Sequence, residues 1–258
     1  MVRDPYNAVA IIPARMGSTR FPGKALADET GKPMVVHVCE RASEAHSVQR
    51  VVVATDSQEI IDAVRAHGFE AVMTSAEHTN GTSRLGEACK VLGLGDEQMV
   101  INVQGDEPEI EPPVIDASEH AALFADEIGV GTVVSPISSD EDFENPNVVK
   151  AVLGDGICAP SIPVCNAIYF SRSPIPFPRN TPARPAFRHV GIYAYSVASI
   201  RAYLGLASGT LEQTESLEQL RWLEHGFGIQ AAVVDSSHTG IDTPEQYRAF
   251  VDRWNAKN

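Results

Sequence analysis

Arg15, Arg20 and Lys24 place three positive charges within ten residues of a chain whose formal net charge is −14. They belong to the run Pro13-Ala14-Arg15-Met16-Gly17-Ser18-Thr19-Arg20-Phe21-Pro22-Gly23-Lys24. Gly17 and Gly23 let the backbone fold closely around a ligand, and Ser18 and Thr19 add hydroxyls. This mixture of cations, hydroxyls and backbone N–H groups suits an anion, and a polyphosphate above all. An ordinary surface turn with scattered cations is the competing description. Two better-known phosphate loops are excluded: the glycines are one residue too far apart for G-x-x-x-x-G-K-[ST], Ala25 replaces the metal-binding hydroxyl, and no G-x-G-x-x-G run occurs.

A carboxylate comes next. Gln104-Gly105-Asp106-Glu107-Pro108 follows the apolar run Met99–Val103, and the carboxyl end of such a strand is where α/β enzymes hold a metal ion. Asp106 could also be a simple cap. A polyphosphate loop in the same sheet favours a divalent cation, because phosphoryl chemistry usually needs one on the phosphate oxygens. A third candidate is the polar turn His78-Thr79-Asn80-Gly81-Thr82-Ser83-Arg84, which opens a helix. Its N-terminus suits a base or a phosphate, or is merely capped by the turn.

The elements that must position these groups alternate. Ala8–Ile12 is a strand that ends at Pro13, which has no N–H for a sheet ladder. Pro33 begins a helix with Met34, Val38 and Ala42 on one face, and Val51–Asp56 is a second strand. A helix bearing Ile60, Ile61 and Val64 follows, with Asp56 and Glu59 as a capping pair and Gly68 as its stop. Ala71–Met73 is a strand, and Leu85, Ala88, Cys89 and Leu92 face inward from the next helix. Pro113–Ala125 reads as helix and Gly129–Val134 as strand.

Beyond that point the alternation loosens. Val148–Leu153, Asn166–Phe170 and His189–Tyr195 are strand-like runs, and Pro174, Pro176, Pro178, Pro182 and Pro185 crowd one connection. Helix returns over Leu211–His225, Ile229–Val234 is a last strand, and Tyr247, Val251 and Trp254 lie on one face of a final helix.

Several blocks resemble one family across nearly the whole chain. Ile12–Lys24, Gly31-Lys-Pro-Met, Val53-Ala-Thr-Asp56, Asn102–Pro108, Tyr169-Phe-Ser-Arg172, Arg188–Tyr193, Leu217-Glu-Gln-Leu220 and Asp242-Thr-Pro-Glu245 are similar, in order, to the 3-deoxy-manno-octulosonate (Kdo) cytidylyltransferases of lipopolysaccharide biosynthesis. The resemblance implies an α/β, Rossmann-like nucleotidyltransferase three-layer sandwich with a mostly parallel sheet and a smaller β-rich subdomain. It implies one domain over 1–258, with about 135–195 binding the acceptor and forming the contact of a homodimer. CTP would be the nucleotide and Mg2+ the cofactor, held by Asp106 and Asp242, with Arg15 and Lys24 neutralising the departing pyrophosphate. The nucleotide contacts would be Pro13, Ala14, Arg15, Gly17, Ser18, Arg20, Lys24, Asn80, Gly81, Arg84 and Gln104. Those matching the acid-sugar contacts are Gln104, Arg172, His189, Tyr193, Glu218 and Gln219. His189, taken alone, reads as a satisfied core histidine.

Two features depart from the family. Ser83 stands where an acidic residue is usual, and the connection Gly154–Val164, with Cys158, Pro160 and Pro163, is longer. They leave room for a different acceptor, either 8-amino-Kdo or a phosphonate such as phosphonoformate.

Composition excludes other classes. With 43% hydrophobic and 21% charged residues the chain reads as an ordinary globular enzyme. The negative charge disfavours nucleic acid and acidic membranes. A nicotinamide-dependent dehydrogenase lacks its glycines here, and a nucleotide sensor without turnover has no need of two carboxylates. Cys39, Cys89, Cys158 and Cys165 show no metal-ligand grouping, and three of them, among apolar neighbours, read as reduced buried thiols. After Arg3 and Asp4 the first apolar run is too short for a signal segment, so the expected location is the cytoplasm.

Overall fold

The structure is a computed structural model that describes residues 7–18, 20–78, 80–157, 162–180 and 186–257. Expectations attached to Arg3, Asp4, Thr19, Thr79, Cys158, Pro160, Pro182 and Pro185 lie outside the described residues.

The first strand, β1 (Ala8–Ala14), is buried at every position except Pro13. The chain then crosses the basic loop and makes one 3-10 turn at Lys24–Leu26, entered through Gly23 at φ +72°, a conformation that favours glycine. Helix α1 (Met34–Ser43) starts directly after Pro33 and buries Met34, Val38 and Ala42, as their spacing predicts. After β2 (Val48–Thr55), α2 (Gln58–Ala66) is capped by Ser57, whose hydroxyl accepts the Ile60 N–H at 3.4 Å. The expected Asp56–Glu59 capping pair is therefore corrected: the Asp56 carboxylate is taken by Arg84 at 2.8 Å.

Next come β3 (Glu70–Met73), α3 (Gly81–Val91), β4 (Met99–Asn102), α4 (Pro112–Ala122), β5 (Val130–Pro136) and α5 (Asp140–Glu144). The remaining elements are β6 (Lys150–Ile157), β7 (Val164–Ser171), β8 (Phe187–Ser196), α6 (Val197–Leu204), α7 (Thr210–Glu215), α8 (Leu220–Glu224), β9 (Ile229–Val233) and α9 (Pro244–Lys257). The single helical stretch expected over Leu211–His225 is two helices, α7 and α8. Ser216 at φ +52° breaks it, so that Glu218 and Gln219 lie between the helices. Helix α6, capped by Ser196, was not read from sequence.

Two compact units are present, one made of the described residues up to Asp116 and from Ser237, the other of Ala117–Ser236. In the first, β3, β2, β1 and β4 are neighbours in that order and every pairing is parallel. Ile11, Ile12, Val52, Val53, Val100 and Ile101 are fully buried along these strands, the continuous apolar pattern of a parallel sheet covered on both faces. In the second unit β5 pairs parallel with β9, while β5–β8, β6–β7, β6–β8 and β7–β9 are antiparallel. The 135–195 segment falls inside this second unit.

Helix α9 closes a core of Met34, Ile241, Tyr247, Phe250 and Val251, with Phe21 and Ala27 packed against it. Phe21 and Tyr247 face each other at 5.5 Å, and the Tyr247 hydroxyl accepts the Glu29 N–H at 2.9 Å. This cluster fixes both flanks of the future site: Phe21 is three residues before Lys24, and Ile241 immediately precedes Asp242. Among the described residues no helix is long and apolar enough to cross a membrane.

Candidate active site

Lys24 stands at the centre of the first unit's strand ends. Its ammonium donates to Asp106 Oδ2 at 2.8 Å, to Asp242 Oδ1 at 3.1 Å and to the Ile241 carbonyl at 3.0 Å. Arg20 adds a second cation to Asp242 at 2.9 Å. The backbone holds the two carboxylates together, because the Ile241 N–H donates to the Asp106 carbonyl at 2.8 Å. Three oxygens around one cation make a position that a hard metal ion could take. Magnesium typically uses one or two carboxylates and completes its shell with phosphate oxygens and water, so the donor set fits it. Asp106 and Asp242 would be the protein's carboxylate share.

Around this pair the chain is closely approached. A Cβ on Gly105 would lie 2.7 Å from the Pro13 carbonyl oxygen, so only glycine lets the end of β4 come this near the end of β1. Gly81 also borders Pro13, where a Cβ would sit 3.7 Å from the proline ring. Pro13, Ala14, Gly81 and Gln104 are thereby gathered about one set of strand ends, with Arg15 and Arg20 exposed on the loop. A Cβ on Gly17 would meet nothing within 4 Å. Ser18 turns its hydroxyl inward to accept the Phe21 N–H at 3.3 Å, shaping the loop. Asn80 is the cap of α3, accepting the Ser83 N–H at 2.8 Å. Ser83, the departure from the family pattern, lies 3.1 Å from His78 Nδ1, and His78 Nε2 meets Glu87 at 2.5 Å. Arg84 is buried and brackets Thr74 at 2.7 Å and Asp56 at 2.8 Å, so it braces the turn.

The second unit holds most of the acceptor set. His189 faces Thr132 Oγ1 at 2.9 Å, and Thr132 spends its only proton on the Ile192 carbonyl at 2.7 Å. His189 therefore donates Nε2–H and keeps a lone pair on Nδ1. Burial, helped by Arg188, lowers its pKa to about 3, which leaves it neutral. Its ring packs on Phe170 and Tyr193. Burial also raises the Tyr193 phenol well above its ordinary value, so that hydroxyl remains a donor. Gln219 is 5% exposed and its Nε2 has no hydrogen-bond partner among the described residues, an orphaned donor of the kind a ligand satisfies. Arg172 is occupied: it donates to the carbonyls of Glu215 at 2.7 Å, Pro146 at 3.1 Å and Ser216 at 3.4 Å, leaving two of its five N–H groups for a ligand. Glu218 is half-buried in the same α7–α8 connection.

Sequence reading missed Gln246, whose side chain accepts the backbone N–H groups of Asp242 at 2.7 Å and Thr243 at 3.0 Å. It also missed His238, buried against Glu107 and Glu111. The only available signal was a lone histidine four residues before Asp242, opposite the acid-rich run Asp106–Glu111.

A parallel βα unit that carries cations and carboxylates at its strand ends, in a chain whose other unit pairs its strands in mixed directions, defines an α/β nucleotidyltransferase. The fold is shared with a nucleotidyl transferase from Methanothermobacter, 16% identical at a TM-score of 0.60 over 98% of this chain and 99% of that one, a likeness of fold alone. The chain belongs to the cytidylyltransferase family, whose model matches residues 9–232. It is 46% identical over 245 residues to a 3-deoxy-manno-octulosonate cytidylyltransferase from Syntrophobacter fumaroxidans, covering 94% of this chain and 95% of that protein. A solved CMP:2-keto-3-deoxy-manno-octonic acid synthetase complexed with CTP is similar at a TM-score of 0.88 and 39% identity, covering 98% of this chain and 100% of that one.

Proposed function

We propose that this protein transfers CMP from CTP to Kdo and releases pyrophosphate. The observation that carries the reading is the Lys24 ammonium shared by Asp106 and Asp242 beside the basic loop. It is a cation position between two carboxylates where a triphosphate can reach it. The names of the two relatives with 46% and 39% identity support Kdo as acceptor over 8-amino-Kdo and phosphonoformate.

In this reading Arg15, Arg20 and Lys24 bind the triphosphate and neutralise charge as pyrophosphate departs. Gly105 lets the two strand ends close on it. The anomeric hydroxyl of the sugar gives up its proton to solvent and its oxygen bonds to the α-phosphorus while the bond to pyrophosphate breaks, and catalysis consists mainly of alignment. Mg2+, held by Asp106 and Asp242, would supply further neutralisation of the phosphate oxygens. His189 Nδ1 accepts from a sugar hydroxyl, and Gln219 and Tyr193 donate to sugar oxygens. The two remaining N–H groups of Arg172 take the acceptor carboxylate.

The protein is proposed to act as a homodimer in the cytoplasm. Ile168 and Phe177, 55% and 82% exposed in the β-rich unit, support a covered apolar contact there. Pyrophosphate release that requires CTP, Mg2+ and Kdo together tests the reading. Release without an acceptor, or none at all, contradicts it.

A further inference from the structure

His238 is a buried titratable group that the reaction does not use, with a side chain 2% exposed. Both ring nitrogens point at carboxylates: Nδ1 is 2.6 Å from Glu111 Oε2, and Nε2 is 3.4 Å from Glu107 Oε2. Glu111 also accepts the backbone N–H and the hydroxyl of Ser237, each at 3.3 Å. Glu107 is 9% exposed, and among the described residues His238 is its ion-pair partner. Burial lowers the imidazole's pKa, but the two glutamates more than offset this and raise it above the ordinary histidine value. A buried carboxylate without a polar partner is costly, so the His238 ring facing Glu107 at 3.4 Å ties the two segments together.

The position of these residues gives the contact its meaning. Glu107 directly follows Asp106, His238 is four residues before Asp242, and between them the Ile241 N–H meets the Asp106 carbonyl at 2.8 Å. Two arginines grip the same acidic segment from outside. Arg41 donates to the Ile110 carbonyl at 3.1 Å, and Arg253, half exposed, pairs with Glu109. Exposed pairs of that kind contribute little.

We propose that His238 is a positioning residue: wedged between Glu107 and Glu111, it holds the segment bearing Asp106 against the segment bearing Asp242 and so sets the spacing of the two carboxylates. The inference rests on the reading of those carboxylates as the metal pair. Its effect is on metal affinity, in the way that groups behind metal ligands act elsewhere.

The test compares wild type, His238→Gln, Glu111→Gln and Arg253→Gln. Mn2+ is titrated into each protein in excess over CTP, with no acceptor present, and free Mn2+ is read by electron paramagnetic resonance. CTP affinity without metal is measured alongside. His238→Gln is expected to weaken Mn2+ binding about 10- to 100-fold, and Glu111→Gln to weaken it in the same sense. Metal-free CTP binding stays at the wild-type level, and Arg253→Gln keeps wild-type Mn2+ affinity. In the crystal structure of His238→Gln the bond from Ile241 to Asp106 is expected to open.

Wild-type Mn2+ affinity in folded His238→Gln overturns the proposal, as does an equal loss of metal-free CTP binding. If His238→Gln does not fold, Glu111→Gln decides: unchanged Mn2+ affinity overturns it. Should the wild-type protein bind neither CTP nor Mn2+, the cytidylyltransferase reading fails. The Ile241–Asp106 bond in the variant crystal then decides the clamp by itself, and an intact bond overturns it.

Discussion

Lys24 and Asp106 lie 82 positions apart in the chain and meet at 2.8 Å. The ammonium also touches Asp242, 218 positions away, so one side chain spans the ends of β1 and β4 and the loop before α9. Without nucleotide this cation balances the carboxylates. With a triphosphate in the loop, the same charge is available to the phosphates.

Replacing Lys24 by Ala, or Asp106 by Asn, should lower the turnover number by at least about 100-fold, the scale seen when one donor to transition-state charge is removed. Circular dichroism and Tm should stay close to wild type, since both side chains are partly solvent-exposed. Turnover within a few-fold of wild type with CTP and Mg2+ would remove both residues from the mechanism.

Gly105→Ala places a methyl group 2.7 Å from the Pro13 carbonyl oxygen and must push the two strand ends apart. A displacement of about 1 Å near reacting groups costs about 100-fold in rate, and overpacking costs about 1–3 kcal/mol in stability. Gly17→Ala meets open space and should leave Tm unchanged. Urea denaturation and steady-state rates on the pair check this; equal stabilities would mean that the close approach is not what requires glycine.

Arg172→Ala should raise the KM for Kdo about tenfold or more, the worth of one charge-assisted hydrogen bond, while the KM for CTP changes little. The guanidinium holds the carbonyls of Glu215 and Ser216, which lead directly to Glu218 and Gln219. Parallel increases in both KM values would take Arg172 out of the acceptor pocket.

His37 gives a pH dependence with a defined sign. It is 2% exposed, packs edge-on against Phe250 and Trp254, and contacts Thr30 Oγ1 at 2.7 Å. Burial, assisted by Lys32, lowers its pKa to about 4 from 6.5. The unfolded chain therefore binds the proton first. The stability this neutral ring contributes is fully present above pH 6.5 and is lost as pH falls towards 4. The slope approaches about 1.4 kcal/mol per pH unit. His238 shifts in the opposite direction, so the comparison must be with His37→Gln. Urea midpoints measured at several pH values below 7 should fall less steeply in that variant; identical slopes would refute the assignment.

The parallel half was legible because each strand there is an unbroken apolar run, and Ser57, Asn80 and Gly68 punctuate its helices by local chemistry. Lys24 and Asp106 were legible for a related reason: each follows the end of a buried strand. Asp242 came only through family resemblance, because nothing local says that a turn before the last helix returns to β1. The bracing role of Arg84 was not legible, since its partner Asp56 lies 28 positions back, a pairing that only the fold creates. The break at Ser216 was hidden by good helical spacing on both sides, and a left-handed serine has no sequence signal of its own.

The most direct measurement of the central claim is pyrophosphate release from CTP and Mg2+ with Kdo, 8-amino-Kdo and phosphonoformate offered in parallel. Rapid release with Kdo, and little with the other two, is the predicted result. Release with phosphonoformate alone would contradict it, and would mean that His189, Tyr193 and Gln219 serve a different acid.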